Sequence, residues 1–315
     1  MLDASAVESF EEHRTHLLGV AYRLTGSVAD AEDAVQDAWL RLAGVDADRI
    51  VDLRAWLTTV VGRLCLDRLR SAAVRRETYV GQWLPEPVLT PLGGCTPPDP
   101  LERIVQDEDN RLAALVVLDT LPPAQRVAFV LHDAFDVPFD EISRILDITV
   151  PTARQLASRG RRAVAHTPPP VPSEEHAEAV ERLLAAFADA DLDAVTAALH
   201  PDAHAVGDAG GTTRTALNVV VGPDRFARFF LGLSRRYGTD SLTAVEPILV
   251  NGELGLLNRG APGDGDRPGF PPRVLACTVR EGRVWAAYDL ANPAKLRRGT
   301  RLGAGLFEAG RESTR

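Results

Sequence analysis

Three stretches of the chain place charged side chains at spacings that suit recognition of another macromolecule. In SVADAEDAVQDAWLRL, residues 27–42, Asp30, Asp33 and Asp37 fall three and four apart and make an acidic stripe on a helix. Val28, Ala31, Val35, Ala38, Trp39 and Leu42 recur on an apolar face, and Ser27 stands where a helix takes its N-cap. Such a stripe suits docking on a basic partner, although taken alone it reads first as a well-capped, solvated surface helix. In RAWLTTVVGRLCLDRLRSAAVRR, residues 54–76, Arg63, Arg68, Arg70 and Arg75 ride over an apolar seam of Leu57, Val61, Leu64 and Leu69. The third stretch, residues 138–164, reads as helix, tight turn, helix. Ile142, Ile145 and Leu146 supply the core side of its first helix, Asp147–Val150 the turn, and Pro151 fits the first turn of the second helix. Ala153, Leu156 and Ala157 face inward, which leaves Thr152, Arg154, Gln155, Ser158, Arg159, Arg161 and Arg162 polar and outward. That is a helix-turn-helix whose second helix can reach base edges and phosphates; a plain helical hairpin with an arginine-rich face is the competing reading. A fourth group, His200, Asp202, His204 and Asp208, has the residue types of a proton-transfer cluster. Its place between Pro201 and the glycines at 210 and 211 favours polar loop residues instead.

The charge is unevenly spread. The whole chain carries −9, yet residues 1–48 hold ten acids against three arginines. Residues 49–76 hold seven arginines against Asp52 and Asp67, and residues 150–166 hold four arginines and no acid. Two basic islands in an acidic chain suit a phosphate backbone, because each docked arginine releases condensed counterions. Cys65, Cys95 and Cys277 are odd in number and scattered, matching neither a disulfide framework nor a zinc spacing, so no metal and no cofactor is expected. No apolar run reaches the roughly 18 residues of a membrane helix, and the N-terminus begins with acids rather than a basic, then apolar leader. The expectation is a cytoplasmic protein with no membrane partner.

The elements that must position these groups are punctuated by proline. Residues 5–76 contain no proline and read as a helical bundle. Residues 81–100 hold six prolines and three glycines and read as an extended linker. Helical patterning returns over 101–165, and TPPPVP at 167–172 closes that unit. Beyond it, two helices near 174–199 and a third at 223–237 alternate with strands expected at 203–207, 243–250, 253–258, 273–280 and 283–290. Asn251-Gly252 and Glu281-Gly282 fall at hairpin positions. The reading is three folded units joined by two proline-rich connectors.

Two blocks carry a family resemblance. AYRLTGSVADAEDAVQDAWLRL followed by LRAWLTTVVGRLCLDRLRSA resembles the second region of an extracytoplasmic-function (ECF) sigma factor, and LDTLPPAQRVAFVLHDAFDVPFDEISRILDITVPTARQLASRGRRA resembles its fourth region. The order and separation match over roughly the first half of the chain. WLPEPV at 83–88 resembles the linker motif of the ECF group that carries a C-terminal SnoaL-like, NTF2-type domain. Asp208-Ala209-Gly210-Gly211-Thr212 stands in place of that group's DGGGK, and Asn292-Pro293-Ala294-Lys295-Leu296 in place of NPDKL. Lys295 is the only lysine in the chain.

The resemblance implies a multidomain architecture: two all-α sigma domains, the second with the helix-turn-helix, then an α+β NTF2/SnoaL-like cone with a curved antiparallel sheet and a pocket. The implied boundaries are 1–77 for region 2, 78–107 for the linker, 108–166 for region 4, 167–173 for a second linker, 174–296 for the SnoaL-like domain and 297–315 for a flexible tail. It implies that Asp30, Glu32, Asp33, Gln36, Asp37, Trp39 and Leu40 dock on RNA polymerase core enzyme. Arg54, Trp56, Arg63, Arg68, Arg70, Arg75 and Arg76 would meet the −10 promoter element. Thr152, Arg154, Gln155, Ser158, Arg159, Arg161 and Arg162 would read the −35 element. Trp83, Leu84, Pro85, Glu86, Pro87 and Val88 would meet Asp208, Gly210, Gly211, Asn292, Pro293, Lys295 and Leu296 in a regulatory contact between domains. The chain would do no catalysis and require no classical anti-sigma factor, and its C-terminal pocket is open to an unidentified small-molecule ligand. Two other classes fit parts of the sequence: a ligand-sensing helix-turn-helix regulator, and a SnoaL-like small-molecule enzyme fused to a DNA-binding half. The acidic helix speaks against the first, since a simple repressor has no polymerase to bind; the second needs a His/Asp pair confined in the pocket.

Overall fold

A computed structural model describes residues 4–46, 49–76, 78–93, 103–104, 110–238, 244–263 and 265–299, with side chains at 4–6, 73–76 and 298–299 left out of the description. The chain divides into two compact units, Met1–Thr78 with Thr96–Thr167, and Tyr79–Cys95 with Pro168–Arg315.

The first unit is helical. Helix α1 (Ala4–Thr25) ends at Gly26, whose positive φ of 65° lets its N–H reach the Tyr22 carbonyl at 2.8 Å. Ser27 then caps α2 (Val28–Ala43) by accepting from the Asp30 N–H. With α3 (Leu53–Arg76) these helices enclose Leu17, Val20, Tyr22, Ala31, Val35, Leu42, Leu57 and Val61. The second half contributes α4 (Leu112–Asp119), α5 (Pro123–Asp133), α6 (Phe139–Leu146) and α7 (Val150–Val164). Proline opens α5 and lies in the first turn of α7, where its missing N–H costs nothing. The two halves pack as one body. Gly62 of α3 lets Leu131 and Ile145 approach closely, and the buried Arg126 donates to the Leu24 carbonyl at 3.1 Å while pairing with Asp119 at 3.0 Å.

The second unit is a seven-stranded sheet with helices on one face. Its strands are β1 (Leu89–Pro91), β2 (Leu199–Asp208), β3 (Val220–Val221), β4 (Glu246–Val250), β5 (Glu253–Asn258), β6 (Arg273–Arg280) and β7 (Arg283–Leu290), in the order β1-β4-β5-β6-β7-β2-β3. Asn251-Gly252 and Glu281-Gly282 have positive φ at both positions, the two-residue turn that matches strand twist, and they join β4 to β5 and β6 to β7. Helices α8 (Ser173–Ala188), α9 (Leu192–Ala198) and α10 (Pro223–Tyr237) cover one face through Leu183, Phe187, Phe226 and Phe230, packed on Ala205, Leu256, Cys277 and Ala287. A short α11 (Pro293–Gly299) follows β7.

Two features depart from the expectation. The sheet is mixed, not antiparallel: β2 pairs with β7 in parallel, Ala205 opposite Ala287 and Asp208 opposite Leu290. Alternation of apolar residues reports which face a side chain occupies, not which way its strand runs. The residues expected to be linker also enter the second unit, so the described chain forms two units where three were expected. Leu84–Leu89 are all buried, and β1 adds to the sheet as an edge strand on β4, where Pro91 needs no ladder partner. A proline-rich segment makes few hydrogen bonds of its own, so its backbone groups pair with whatever surface it lies on.

Candidate nucleic-acid interface and linker anchor

The acidic helix is only partly a free face. Asp33 and Gln36 are exposed, Asp30 and Glu32 half-buried, and Leu40 stands 60% exposed at the C-terminal end of α2. Asp37 is taken by Arg68 of α3 at 2.8 Å, an ion pair that ties two residues expected to contact different partners. Trp39 packs on Phe10 of α1 with ring centroids 4.9 Å apart. On α3, Arg63 and Arg70 are exposed; Arg63 donates to the Arg144 carbonyl at 3.3 Å, and Arg70 lies 3.7 Å from Asp67. Arg54 meets His16 Nδ1 at 3.2 Å, and Trp56 is half-buried. Burial, with help from Arg54 and His13, lowers the His16 pKa to about 4. Arg75 and Arg76 close α3, and their side chains lie outside the described residues.

The helix-turn-helix is present. Asp147 takes a left-handed φ of 56° at the end of α6, and Thr149 caps α7 by accepting from the Thr152 N–H. Ala153, Ala157 and Gly160 face inward; Gly160 lies so close to Phe129 that an added Cβ would sit 2.5 Å from that residue's Cβ. Arg154, Gln155 and Arg159 are exposed, with the Arg154 guanidinium over the Phe139 ring at 5.7 Å. The others are engaged: Thr152 with the Thr149 hydroxyl at 2.8 Å, Arg162 with Ser158 at 3.3 Å, and Arg161 with Asp133 of α5 at 2.6 Å. Of the helix's four arginines, Arg154 and Arg159 face outward, Arg162 turns back on Ser158 of the same helix, and Arg161 is pinned to the neighbouring helix.

The expected linker contact is a buried charge cluster inside the second unit. Asp208, at the end of β2, is fully buried and Lys295 of α11 is 2% exposed. Lys295 Nζ meets Asp208 Oδ2 at 2.6 Å, donates to the Leu84 carbonyl, and lies 3.3 Å from the centre of the Trp83 ring. Leu84 N–H donates to Asp208 Oδ2 at 2.9 Å. The Tyr79 hydroxyl donates to Asp208 Oδ1, Gly210 N–H reaches the same oxygen at 3.2 Å, and Asn292 Nδ2 donates to the Tyr79 oxygen at 2.8 Å. Tyr79 also packs edge-on against Trp83 at 4.9 Å. Burial and the Asp208 carboxylate push the Tyr79 phenol well above its usual range. Gly210 and Gly211 both have positive φ, and a Cβ on Gly210 would lie 2.8 Å from Asn292 Nδ2.

Asp208 points away from the helices, since Ala203 and Ala205 of the same strand face them. At the other end, Val88 N–H donates to Asn251 Oδ1 at 3.0 Å and Asn251 N–H returns to the Val88 carbonyl at 2.9 Å. Residues 84–88 thus run from the end of β2 to the end of β4. Of the residues expected to meet, Trp83, Leu84, Asp208, Gly210, Asn292 and Lys295 converge. Pro85, Glu86, Pro87 and Val88 are buried further along; Gly211 packs beside Val80, Pro293 is exposed, and Leu296 is buried. Tyr79 and Asn251 are additions that no motif marked.

His200, Asp202, His204 and Asp208 do not form a cluster. His204 stacks edge-on against Trp285 at 4.5 Å, its pKa lowered by burial. His200 Nδ1 accepts from the Asp202 N–H at 3.1 Å, the Asp202 side chain is exposed, and Asp208 belongs to the anchor. Among the described residues no group of His, Cys, Asp and Glu is placed to hold a metal ion, and no helix is long and apolar enough to cross a membrane.

Comparison with known proteins agrees with this architecture. Residues 9–75 match the Sigma-70 region 2 family model and residues 111–164 match that of Sigma-70, region 4. The ECF RNA polymerase sigma factor SigJ of Mycobacterium tuberculosis is 54% identical, over 92% of this chain and 93% of its own. The probable ECF RNA polymerase sigma factor SigI of the same organism is 32% identical, over 91% and 93%. The crystal structure of Mycobacterium tuberculosis SigJ superposes with a TM-score of 0.81 at 52% identity, covering 94% of this chain and all of that one. Two sigma regions in order, followed by a mixed α+β unit that a relative shares nearly end to end, place the chain: it belongs to the ECF RNA polymerase sigma factors.

Proposed function

We propose that this sigma factor is governed from within, its C-terminal α+β unit acting on transcription by holding the proline-rich linker. Sigma factors bind RNA polymerase core and promoter DNA and are not enzymes; the finer assignments here are ours. Exposed Asp33, Gln36 and Leu40, with Asp30 and Glu32 at their margin, dock α2 on the polymerase. Arg63 and Arg70 lead the α3 contact with the −10 element, where an arginine-lined groove suits a separated strand. Arg154, Gln155 and Arg159 read the −35 element in the major groove. The second unit is of the SnoaL/NTF2-like type, and the protein works in the cytoplasm without a classical anti-sigma factor.

The observation that carries the regulatory reading is the buried Lys295–Asp208 pair closing on Trp83 and Leu84. Two charges are withdrawn from water there, and most of their hydrogen bonds go to the linker, an arrangement that specifies where the linker lies rather than adding stability. Packing of α3 on α5 and α6, with Arg63 on the Arg144 carbonyl, adds a second requirement: the halves of the first unit separate before both promoter elements are engaged together. Run-off transcription with core polymerase tests the reading, comparing the full chain with one ending before Pro168. Promoter-specific transcripts whose yield differs between the two support it; identical yields refute control by the C-terminal unit.

A further inference from the structure

Arg154, Gln155 and Arg159 face outward on α7, and one of them is held in place. Among the described residues neither Gln155 nor Arg159 has a side-chain partner, whereas the Arg154 guanidinium carbon lies over the Phe139 ring, 5.7 Å from its centre. Phe139 opens α6, three residues before Ile142 on the apolar side of that helix. It stays half-buried there, while Ile142, Ile145 and Leu146 are enclosed. His132, in the last turn of α5, packs against the same ring with centroids 3.8 Å apart and planes 32° from parallel. The Val137 carbonyl can only accept, so His132 Nδ1 carries the proton of their 3.2 Å hydrogen bond, which fixes the imidazole against Phe139.

The kind of contact matters. A cation over a ring is held by the ring electrons, so Arg154 spends none of its five N–H donors on Phe139. Among the described residues no hydrogen bond or ion pair takes them either, and the planar fork that matches a guanine edge stays open. Arg161 and Arg162 differ, since Asp133 and Ser158 each occupy part of their forks. A free arginine gives up its rotamer freedom when it meets a base, and one already resting on a ring has given up part of it beforehand. Two neighbouring residues of α5 therefore act on α7: Asp133 withdraws Arg161, and His132 packs the ring on which Arg154 rests.

We infer that Phe139 is a positioning residue for promoter recognition, its ring presetting Arg154 in the orientation in which it reads a base pair of the −35 element. This rests on the reading of Arg154 as a −35 contact and adds what orients it. An exposed cation–π contact is worth about two- to fivefold in an equilibrium, and that is the selectivity the ring supplies. The ring acts only through Arg154, so its loss is felt at the base pair that Arg154 reads and at no other. A ring that merely completed the domain's core would, when lost, weaken recognition of every pair alike.

The test forms holoenzyme with the full chain and measures, by fluorescence anisotropy, its affinity for promoter fragments carrying each single substitution in the −35 element. Arg154→Ala marks the pair that Arg154 reads, as the one where discrimination drops. Phe139→Leu should lower discrimination at that same pair by about two- to fivefold and leave the other pairs unchanged, and Phe139→Tyr, which keeps the ring, should retain it. Added to Arg154→Ala, Phe139→Leu should have no further effect. Phe139→Met takes the place of the leucine if that variant does not fold. Undiminished discrimination in Phe139→Leu, equal loss at every pair, a loss as large in Phe139→Tyr, or a further loss on top of Arg154→Ala overturns the proposal and leaves the role of Arg154 standing. Unchanged discrimination in Arg154→Ala itself overturns both.

Discussion

Replacing Lys295 with methionine keeps the apolar stem and removes the ammonium that joins Asp208, the Leu84 carbonyl and the Trp83 ring. Breaking a buried pair by removing one member costs about 3–5 kcal/mol, because the other charge stays buried without compensation. Asp208 keeps the Tyr79 hydroxyl, the Leu84 and Gly210 N–H groups and a longer contact from Asn292 at 3.4 Å. Those donors hold the cost near the lower end, about 3 kcal/mol, or roughly a hundredfold in an equilibrium constant. The loss should fall on the linker, since Trp83 and Leu84 lose partners while the β6–β7 ladder loses none. Hydrogen exchange reads this directly: the Leu84 amide should exchange about a hundredfold faster in Lys295→Met, with amides in the middle of β6 and β7 changing far less. Asp208→Asn combined with Lys295→Met should cost less than the two single changes added, since neither charge is then stranded. The reasoning fails if Leu84 exchange stays near the wild-type rate, or if protection falls equally throughout the second unit.

Other expectations follow from the same geometry. Arg154→Ala should cost the holoenzyme about 1–3 kcal/mol of discrimination between −35 variants, whereas Arg161→Ala, already paired with Asp133, should leave discrimination unchanged; anisotropy titrations on mutated promoters separate the two. His16 is held neutral, its pKa about 4 against 6.5, so the unfolded chain binds the extra proton between those values. Stability is thus full above pH 6.5 and falls as pH drops toward 4, on the order of 1 kcal/mol after allowing for its partial exposure, and His16→Asn should flatten that slope in urea titrations. Gly160→Ala should destabilise the first unit by about 1–3 kcal/mol through the clash with Phe129, seen as a lower denaturation midpoint. Burial pushes the Cys65 and Cys277 thiols up to about 12, so both should resist alkylation at pH 8 in the folded protein, and rapid labelling of either by mass mapping would contradict their burial.

Much of the fold was legible where periodicity and turn chemistry agreed. Strands β5, β6 and β7 and helix α10 fall at the expected residues, because alternation is bounded there by Asn-Gly, Glu-Gly and Gly-Pro punctuation. The edges were not legible: β1 and β3 have three and two residues, too few for any period, and α11 has seven. Prolines at 85, 87 and 91 announce a segment that cannot hydrogen-bond to itself, but not the surface that will accept it. The anchor was half visible, through an isolated lysine in a motif and a pair of glycines. Tyr79 and Asn251 had no such mark, since a phenol four residues before Trp83 and a turn asparagine look ordinary until the chain folds back. On α7, spacing alone could not tell Arg159 from Arg161; that distinction belongs to Asp133, 28 residues away on another helix.

The central claim, a sigma factor whose linker is held by its own C-terminal unit, is tested most directly by run-off transcription with core polymerase at one cognate promoter, using the full chain and Lys295→Met at matched core occupancy. The account predicts a promoter-specific transcript from the wild type and a several-fold change in its yield when the anchor is cut. Equal yields from the two proteins, with Leu84 exchange confirming that the linker has been released, would contradict it.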